Sequence, residues 1–469
     1  MAQWRTMATS QTWRMSASEV VSLVHEGHLG VGEVVEEHLA RIDEVNPKLN
    51  AIVLRTDDDS RASVRAIERR RDTYPLIGAT FTSKINTDHA GYPTDNGIKA
   101  LRKAISSTTH PSISGLLDHG AVMVGRTNSP AFAMRFHTDN ELHGETLNPH
   151  RQDISCGGSS GGAGVAVATG MCHIAQGNDV AGSVRWPAYM NGILGLRPTT
   201  GRMPAGGTSA TARGWGASMM ATQGPLARTM TDLQLAYRAM SAANWADPFW
   251  VPVGHEFAVS RSRRVALVTD DNQPIDPIVK ENLVQTGRLL EDAGYIVEET
   301  APPMLESFFS LWRRAGVLDM AIGLRGLLDQ IDDAGLTTFV SRWLETFPPA
   351  TPEVFMNAIA ERDMILRSWN EFFSQFDLLV TPMMTVATVD RAFDVREEDA
   401  GDRFNLYGRW GINISALGLP ALAFPTGVHN GAPLGVQIVS RAWREDLIFE
   451  AGERLEEHRG IVGVVDPTW

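Results

Sequence analysis

The sequence predicts a single large α/β domain whose core is a mixed, mostly parallel β-sheet covered by helices on both faces. Three observations lead there. From Leu76 onward short apolar runs alternate with helical segments, 43% of the 469 residues are hydrophobic, and neither a low-complexity linker nor an internal repeat divides the chain. The expected organisation is one domain over 1–469: a helical N-terminal part (1–75), a central segment (76–235), and a C-terminal part (236–469) that completes the sheet and carries a helical insertion at about 301–370.

The elements follow in order. Ser16-Ala17-Ser18-Glu19 is a capping box ahead of Val20, Val21, Leu23 and Val24, and residues 31–45 repeat apolar side chains at helical spacing. Residues 49–54 read as a strand, and 60–71 as a charged helix whose Arg69–Arg71 run is a solvated face. Strands are expected in IGATFTSKI (77–85), AVMVG (121–125), VALVTDD (265–271), DLLVTP (377–382) and ALAFPTG (421–427), with a helix near 113–119. Between 301 and 370, Phe308, Phe309, Leu311, Trp312, Leu318 and Met320 make an apolar stripe, read as core with part of it available to wall a pocket.

The formal net charge of −13 argues against nucleic acid as a partner, since that binding rests on clustered Lys and Arg. Cys156 and Cys172, without a CxxC pattern, read as two reduced, small apolar residues. The N-terminal stretch has no apolar h-region, and nowhere do about 18 uncharged apolar residues run together. A cytoplasmic protein that does not span a membrane is expected, as monomer or homodimer.

Residues 156–197 carry the chemistry. Gly157, Gly158, Gly161, Gly162 and Gly164 flank Ser159-Ser160, which marks a tight turn that presents serines. A flexible Gly/Ser linker is disfavoured by the apolar VAVATG and HIAQG that follow, and a phosphate loop by the absence of any Gly-Lys pair or GxGxxG. The remaining reading is catalytic. Ser183 lies in a strand-to-helix turn, between HIAQG and a segment where Pro187 suits the start of a short helix. There its hydroxyl is exposed, and the amides of Val180, Ala181 and Gly182 point into the same space as an oxyanion hole. A serine hydroxyl needs a base, and none of the 13 histidines sits in a recognisable triad context. A lysine serves if burial keeps it neutral, and Lys84 ends an apolar run where a charge is costly without a task.

Lys84 precedes Ser159 by 75 residues and Ser159 precedes Ser183 by 24, and with GGSSGG and NDVAGSVRWPA this spacing resembles the amidase signature family of Ser-cisSer-Lys hydrolases. The resemblance extends through GRTNSPAFA (125–133), GILGLRPTTGRMP (192–204), GPLARTMTDL (224–233), LLVTPMM (378–384), GLPALAFPTG (418–427), APLGVQIVS (432–440) and REDLIF (444–449). It implies the amidase signature fold, Ser183 as nucleophile, Ser159 as bridging serine after a cis peptide from Gly158, and Lys84 as ultimate base. It also implies an acyl-enzyme and no metal or organic cofactor. Asp179 and Arg185 match family positions and are expected to scaffold the nucleophile loop, while Ser160 either assists by hydrogen bonding or only forms the turn. The sequence departs from the family's wording at Val180-Ala181, at Ile85-Asn86 where an acidic residue often follows the lysine, and at Cys156.

For substrate, the Gly-, Ala-, Met- and Trp-rich segment 203–223 reads as a loop edging the site. Its Trp215, Met219 and Met220, with Phe132, Met134 and Phe136, are candidates for an apolar pocket. Small-molecule aryl or aliphatic amides, anilides, carbamates (urethanes) and esters are the expected substrates. Two other readings of the scaffold are an amidotransferase subunit that needs partner chains and a catalytically silent binding protein. The negative charge weighs against the first, and retention of Lys84, Ser159 and Ser183 against the second.

Overall fold

The computed structural model describes residues 11–70, 73–204, 214–254, 262–328 and 331–469. Arg71 of the basic run and 205–213 of the pocket segment therefore lie outside the described residues. The capping box forms as expected: Ser16 Oγ accepts from the Glu19 amide at 3.1 Å, and Glu19 Oε2 accepts from the Ser16 amide at 2.7 Å, opening helix α1 (Ala17–His25). Helix α2 (Val31–Leu49) runs further than its periodicity, because Asn50 closes it in a left-handed conformation (φ 50°). The strand expected at 49–54 is accordingly displaced to β1 (Ile52–Arg55). Helix α3 (Asp57–Glu68) starts earlier than read, with Asp57, Asp58 and Asp59 in its first turn, where acidic side chains suit the helix dipole.

Eleven strands form one sheet in the order β1-β3-β2-β4-β6-β5-β10-β11-β9-β7-β8. Their ranges are β2 (Thr80–Lys84), β3 (Val122–Thr127), β4 (Ile174–Asp179), β5 (Leu194–Arg197), β6 (Thr222–Ala227), β7 (Arg264–Leu267), β8 (Ile296–Glu299), β9 (Leu378–Thr381), β10 (Ala421–His429) and β11 (Ala432–Ser440). The sheet is mixed, but not mostly parallel. Only β2 with β3 and β4, and β7 with β8 and β9, pair in parallel. The centre, from β4 through β6, β5, β10 and β11 to β9, is antiparallel. One cause is local: β10 and β11 are joined through Asn430-Gly431, both at positive φ (50° and 76°), a two-residue hairpin turn where a crossover helix would be needed for parallel pairing.

Helices cover both faces: α4 (Pro111–Asp118), α5 (Gly161–Ala168), α6 (Arg185–Asn191), α7 (Trp215–Met220), α8 (Met230–Met240), α9 (Pro277–Asp292), α10 (Leu305–Leu328), α11 (Ala334–Glu345), α12 (Pro352–Phe372), α13 (Ala400–Tyr407), α14 (Arg409–Leu417) and α15 (Glu445–Arg459). In β7 and β9 successive residues alternate between two hydrophobic cores, as the strand period of two requires. Val265, Leu267, Leu378, Val380 and Leu422 join the core under α1, α2, α5, α8 and α9. Ala266, Leu379, Ala421 and Val439 join the aromatic core under α10, α11, α12 and α14. Of the expected apolar stripe, Phe308, Leu311, Trp312 and Met320 are buried in the latter and Phe309 packs against it, whereas Leu318 is only half-buried and joins neither core.

Candidate active site

Strands β2 and β4 lie side by side in parallel, with Phe81 opposite Ile174 and Thr82 opposite Ala175. Their C-terminal ends therefore open at the same edge, the place where α/β sheets present ligand sites. Lys84 is the last residue of β2 and fully buried, while Asn178 and Asp179 end β4. Lys84 Nζ lies 2.6 Å from Ser159 Oγ and donates to Asn178 Oδ1 at 2.9 Å. Asn178 Nδ2 donates in turn to Asn86 Oδ1 at 2.9 Å, and the Lys84 amide donates to Gln176 Oε1 at 3.0 Å. Burial strips the ammonium of solvent and pushes the lysine well below its ordinary pKa; the negative charge of Asp179 opposes this. A neutral Nζ keeps a lone pair able to accept the Ser159 proton.

The peptide between Gly158 and Ser159 is cis. Glycine is required at 158 by contact, since a Cβ there would fall 2.7 Å from the Arg135 carbonyl oxygen. The turn is braced by Thr138 Oγ1, which donates to the Gly157 carbonyl at 2.9 Å and accepts from the Gly161 amide at 3.1 Å. The Ser160 amide donates to the Ser183 carbonyl at 3.1 Å, which ties the two serine-bearing turns together through the main chain. Ser160 Oγ is buried with no hydrogen-bond partner among the described residues, while its amide makes the link to Ser183. Cys156, just upstream, is a free, buried thiol pushed up to about 12 by burial.

Ser183 occupies the turn between β4 and α6, as the sequence predicts. Asp179 organises that turn. Its carboxylate accepts from Arg185 Nε at 2.9 Å and Nη2 at 3.0 Å, from the Gly182 amide at 2.8 Å and from the Val184 amide at 3.3 Å. Burial disfavours its charge, but Arg185 and Arg197 hold the carboxyl below its ordinary range. Arg185 Nη2 also donates to Ser415 Oγ at 2.8 Å, and Nη1 to Gln437 Oε1, which anchors the clamp to α14 and β11. Gly182 takes φ 98°, whereas Ala181 is not among the residues at positive φ, so its side chain is accommodated without backbone strain.

Two expectations need correction. The Gly182 amide is engaged by Asp179 and does not face the site as a free donor; among the described residues no hydrogen bond occupies the amides of Val180, Ala181 or Ser183. Sequence reading could not see that a carboxylate three residues upstream would fold back on that amide. Second, the chain of hydrogen bonds reaches from Lys84 to Ser159 but does not close onto Ser183, whose hydroxyl has no hydrogen bond among the described residues. Such links often tighten only with substrate bound.

Ser183 opens into a cavity of about 140 Å³ lined by Met134, Phe136, Met220, Trp312, Met320 and Trp343, with Val180, Ala181 and Asp319 among its other walls. The pocket candidates divide. Met134, Phe136 and Met220 line it, while Phe132 and Met219 pack in the aromatic core without lining it. Trp215 is 58% exposed and meets Phe249 edge-on. The segment holding it is not a plain loop: its described part is helix α7 followed by β6, and α7 turns only one side to the cavity. Trp312 and Trp343 stack at 5.0 Å between ring centres, and Trp312 Nε1 donates to the Val180 carbonyl at 2.7 Å. Asn86, Asn178, Asp319 and Trp343 were not identified from sequence. The one available signal was Asn86, which stands directly after Lys84-Ile85 where an acidic residue is usual.

Residues 33–449 match the family described as Amidase. An indoleacetamide hydrolase from Bradyrhizobium diazoefficiens is 35% identical to this chain, over 96% of it and 87% of its own length. An acylamidase from Rhodococcus erythropolis is 30% identical over 95% of each chain. The solved structure of 6-aminohexanoate cyclic dimer hydrolase complexed with substrate has the same fold, with a TM-score of 0.84 over 98% of this chain and 99% of that one at 23% identity.

Proposed function

The chain belongs to the amidase family, and on that premise we propose that it hydrolyses small carboxamides bearing an aryl group on the acyl side, through Ser183, Ser159 and Lys84. The observation that carries the reading is the contact of 2.6 Å between Lys84 Nζ and Ser159 Oγ, made by a lysine whose pKa burial pushes well below its ordinary value. The aromatic cavity and the likeness to an indoleacetamide hydrolase support the aryl preference.

In the proposed cycle, substrate entry brings the Ser183 and Ser159 hydroxyls into register. Neutral Lys84 accepts the Ser159 proton as Ser159 takes the Ser183 proton, and Ser183 Oγ attacks the carbonyl carbon. The amides of Val180, Ala181 and Ser183 receive the oxyanion, and the hydrogen bond from Trp312 to the Val180 carbonyl steadies that turn. Ser159 then passes the proton to the departing nitrogen, leaving an acyl group on Ser183 that water removes. An aryl carbamate offers the same carbonyl and leaving nitrogen, and an ester the same carbonyl, so this machinery serves them too. Nothing in the cycle calls on a metal or organic cofactor.

The test is a panel of primary arylacetamides, an anilide and an aryl carbamate, followed by release of ammonia or arylamine. Hydrolysis by wild type and not by Ser183→Ala supports the reading; equal rates for the two proteins refute it.

A further inference from the structure

The cavity that Ser183 opens into is apolar apart from one carboxylate. Asp319, on α10, lines it together with Phe136, Trp312 and Trp343. A charged group in such a wall costs free energy unless it is paired, and among the described residues no cation pairs with Asp319. Its Oδ2 accepts from the Ala217 amide at 2.6 Å, in the first turn of α7. Its Oδ1 has no hydrogen bond among the described residues. The side chain is also hemmed in: a Cβ on Gly214 would fall 2.2 Å from Oδ1, and one on Gly216 would fall 3.0 Å from Oδ2. Among the described residues Asp319 is thus a held acceptor with one oxygen unbonded, and it lines the same chamber as Ser183.

Resting on the amidase reading above, we propose that Asp319 selects acyl groups carrying one neutral N–H donor on an aromatic ring, an indole or pyrrole type, by accepting that hydrogen bond on Oδ1. The walls suit a flat ring, since Trp312 and Trp343 stack nearly in parallel (24°) and Phe136 meets Trp343 edge-on at 5.6 Å. Met134, Met220 and Met320 adapt to its outline. Charge separates this occupant from an ammonium group. An indole brings one N–H for Oδ1 to accept and no charge to take out of water, whereas an ammonium must shed its hydration among walls that are mostly apolar.

The experiment compares primary amides, so that only the acyl group can fill the cavity. Indole-3-acetamide is set against 1-benzothiophene-3-acetamide, which has the same shape without the N–H, and 6-aminohexanamide against hexanamide. Wild type should favour the indole over the benzothiophene by about tenfold to a hundredfold in kcat/KM, the range of one hydrogen bond to a charged acceptor. Asp319→Asn retains an oxygen for the Ala217 amide and presents an NH2 where Oδ1 stood. It should lower kcat/KM for the indole far more than for the benzothiophene, mostly through KM, so that the ratio falls to about threefold or less. Equal wild-type rates on indole and benzothiophene, equal losses on both in the variant, or faster hydrolysis of 6-aminohexanamide than of hexanamide would each overturn the proposal. Absence of hydrolysis of every amide would instead refute the amidase reading itself.

Discussion

Asn178 Oδ1 accepts a hydrogen bond from Lys84 Nζ at 2.9 Å, and Ser159 Oγ lies 2.6 Å from the same nitrogen. The amide is neutral, which leaves the lysine's protonation to be governed by burial. Asn178→Asp places an anion at that distance and favours the ammonium. The acid limb of the pH–kcat/KM profile should move to higher pH, with activity at pH 7 reduced about tenfold or more and regained in alkaline buffer. An unmoved limb would remove Lys84 from the role of base.

Lys84 also predicts a dependence of stability on pH. Its folded-state pKa lies well below the ordinary value of 10.5, so between the two values the unfolded chain binds more protons than the folded one. Stability then rises with pH across that window, and this contribution is lost as pH falls. In Lys84→Met the contribution disappears. Thermal melting of wild type and variant from pH 7 to 10 should show the wild type gaining on the variant as pH rises, and parallel curves would contradict the buried neutral amine.

Ser183→Ala should lower kcat by at least about a thousandfold, as removal of a nucleophile generally does, with melting temperature nearly unchanged because the hydroxyl makes no hydrogen bond among the described residues. Single-turnover assays on an arylacetamide read this directly. Residual activity within tenfold of wild type would assign the attack elsewhere.

Asp179→Asn leaves the fully buried Arg185 without its anion and weakens acceptance from the Gly182 and Val184 amides. Breaking one side of a buried ion pair costs about 3–5 kcal/mol. Urea titration should show a loss of that size together with a loss of turnover, whereas a loss below about 1 kcal/mol would mean the pair does not hold the turn.

Trp312→Phe keeps an aromatic ring beside Trp343 and deletes the donor to the Val180 carbonyl. One neutral hydrogen bond is worth about 1 kcal/mol, so kcat should fall about fivefold to tenfold with a smaller change in KM. A change confined to KM would assign Trp312 to substrate packing alone.

The sequence pointed to the candidate residues better than to the hydrogen bonds that connect them. Lys84, Ser159 and Ser183 were legible because each sits in a local pattern, a strand end or a glycine-rich turn, that leaves a physical signature within a few residues. The occupation of the Gly182 amide by Asp179, and of Lys84 Nζ by Asn178, depends on how turns fold back on themselves, which no spacing encodes. The alternation of strands and helices located most strands, yet it overestimated parallel pairing. The hairpin signal at Asn430-Gly431, flanked by ALAFPTG and APLGVQIVS, was there to say that two consecutive strands run against each other. The pocket was half legible. Met134, Phe136 and Met220 line the cavity, but Trp215 and Met220 belong to one short helix, and composition alone does not say which of them faces inward.

The two cores on opposite faces of the sheet divide labour in a way that bears on how such enzymes diversify. The helix that follows Ser159 is rooted in one core, whereas Phe136, Met220, Trp312, Met320 and Trp343 belong to the other. Changes among those aromatic and thioether walls leave the helix after Ser159 on its own core, but they reach the turn that carries Ser183, since Ala181 and Trp186 share the aromatic core and Trp312 donates to the Val180 carbonyl.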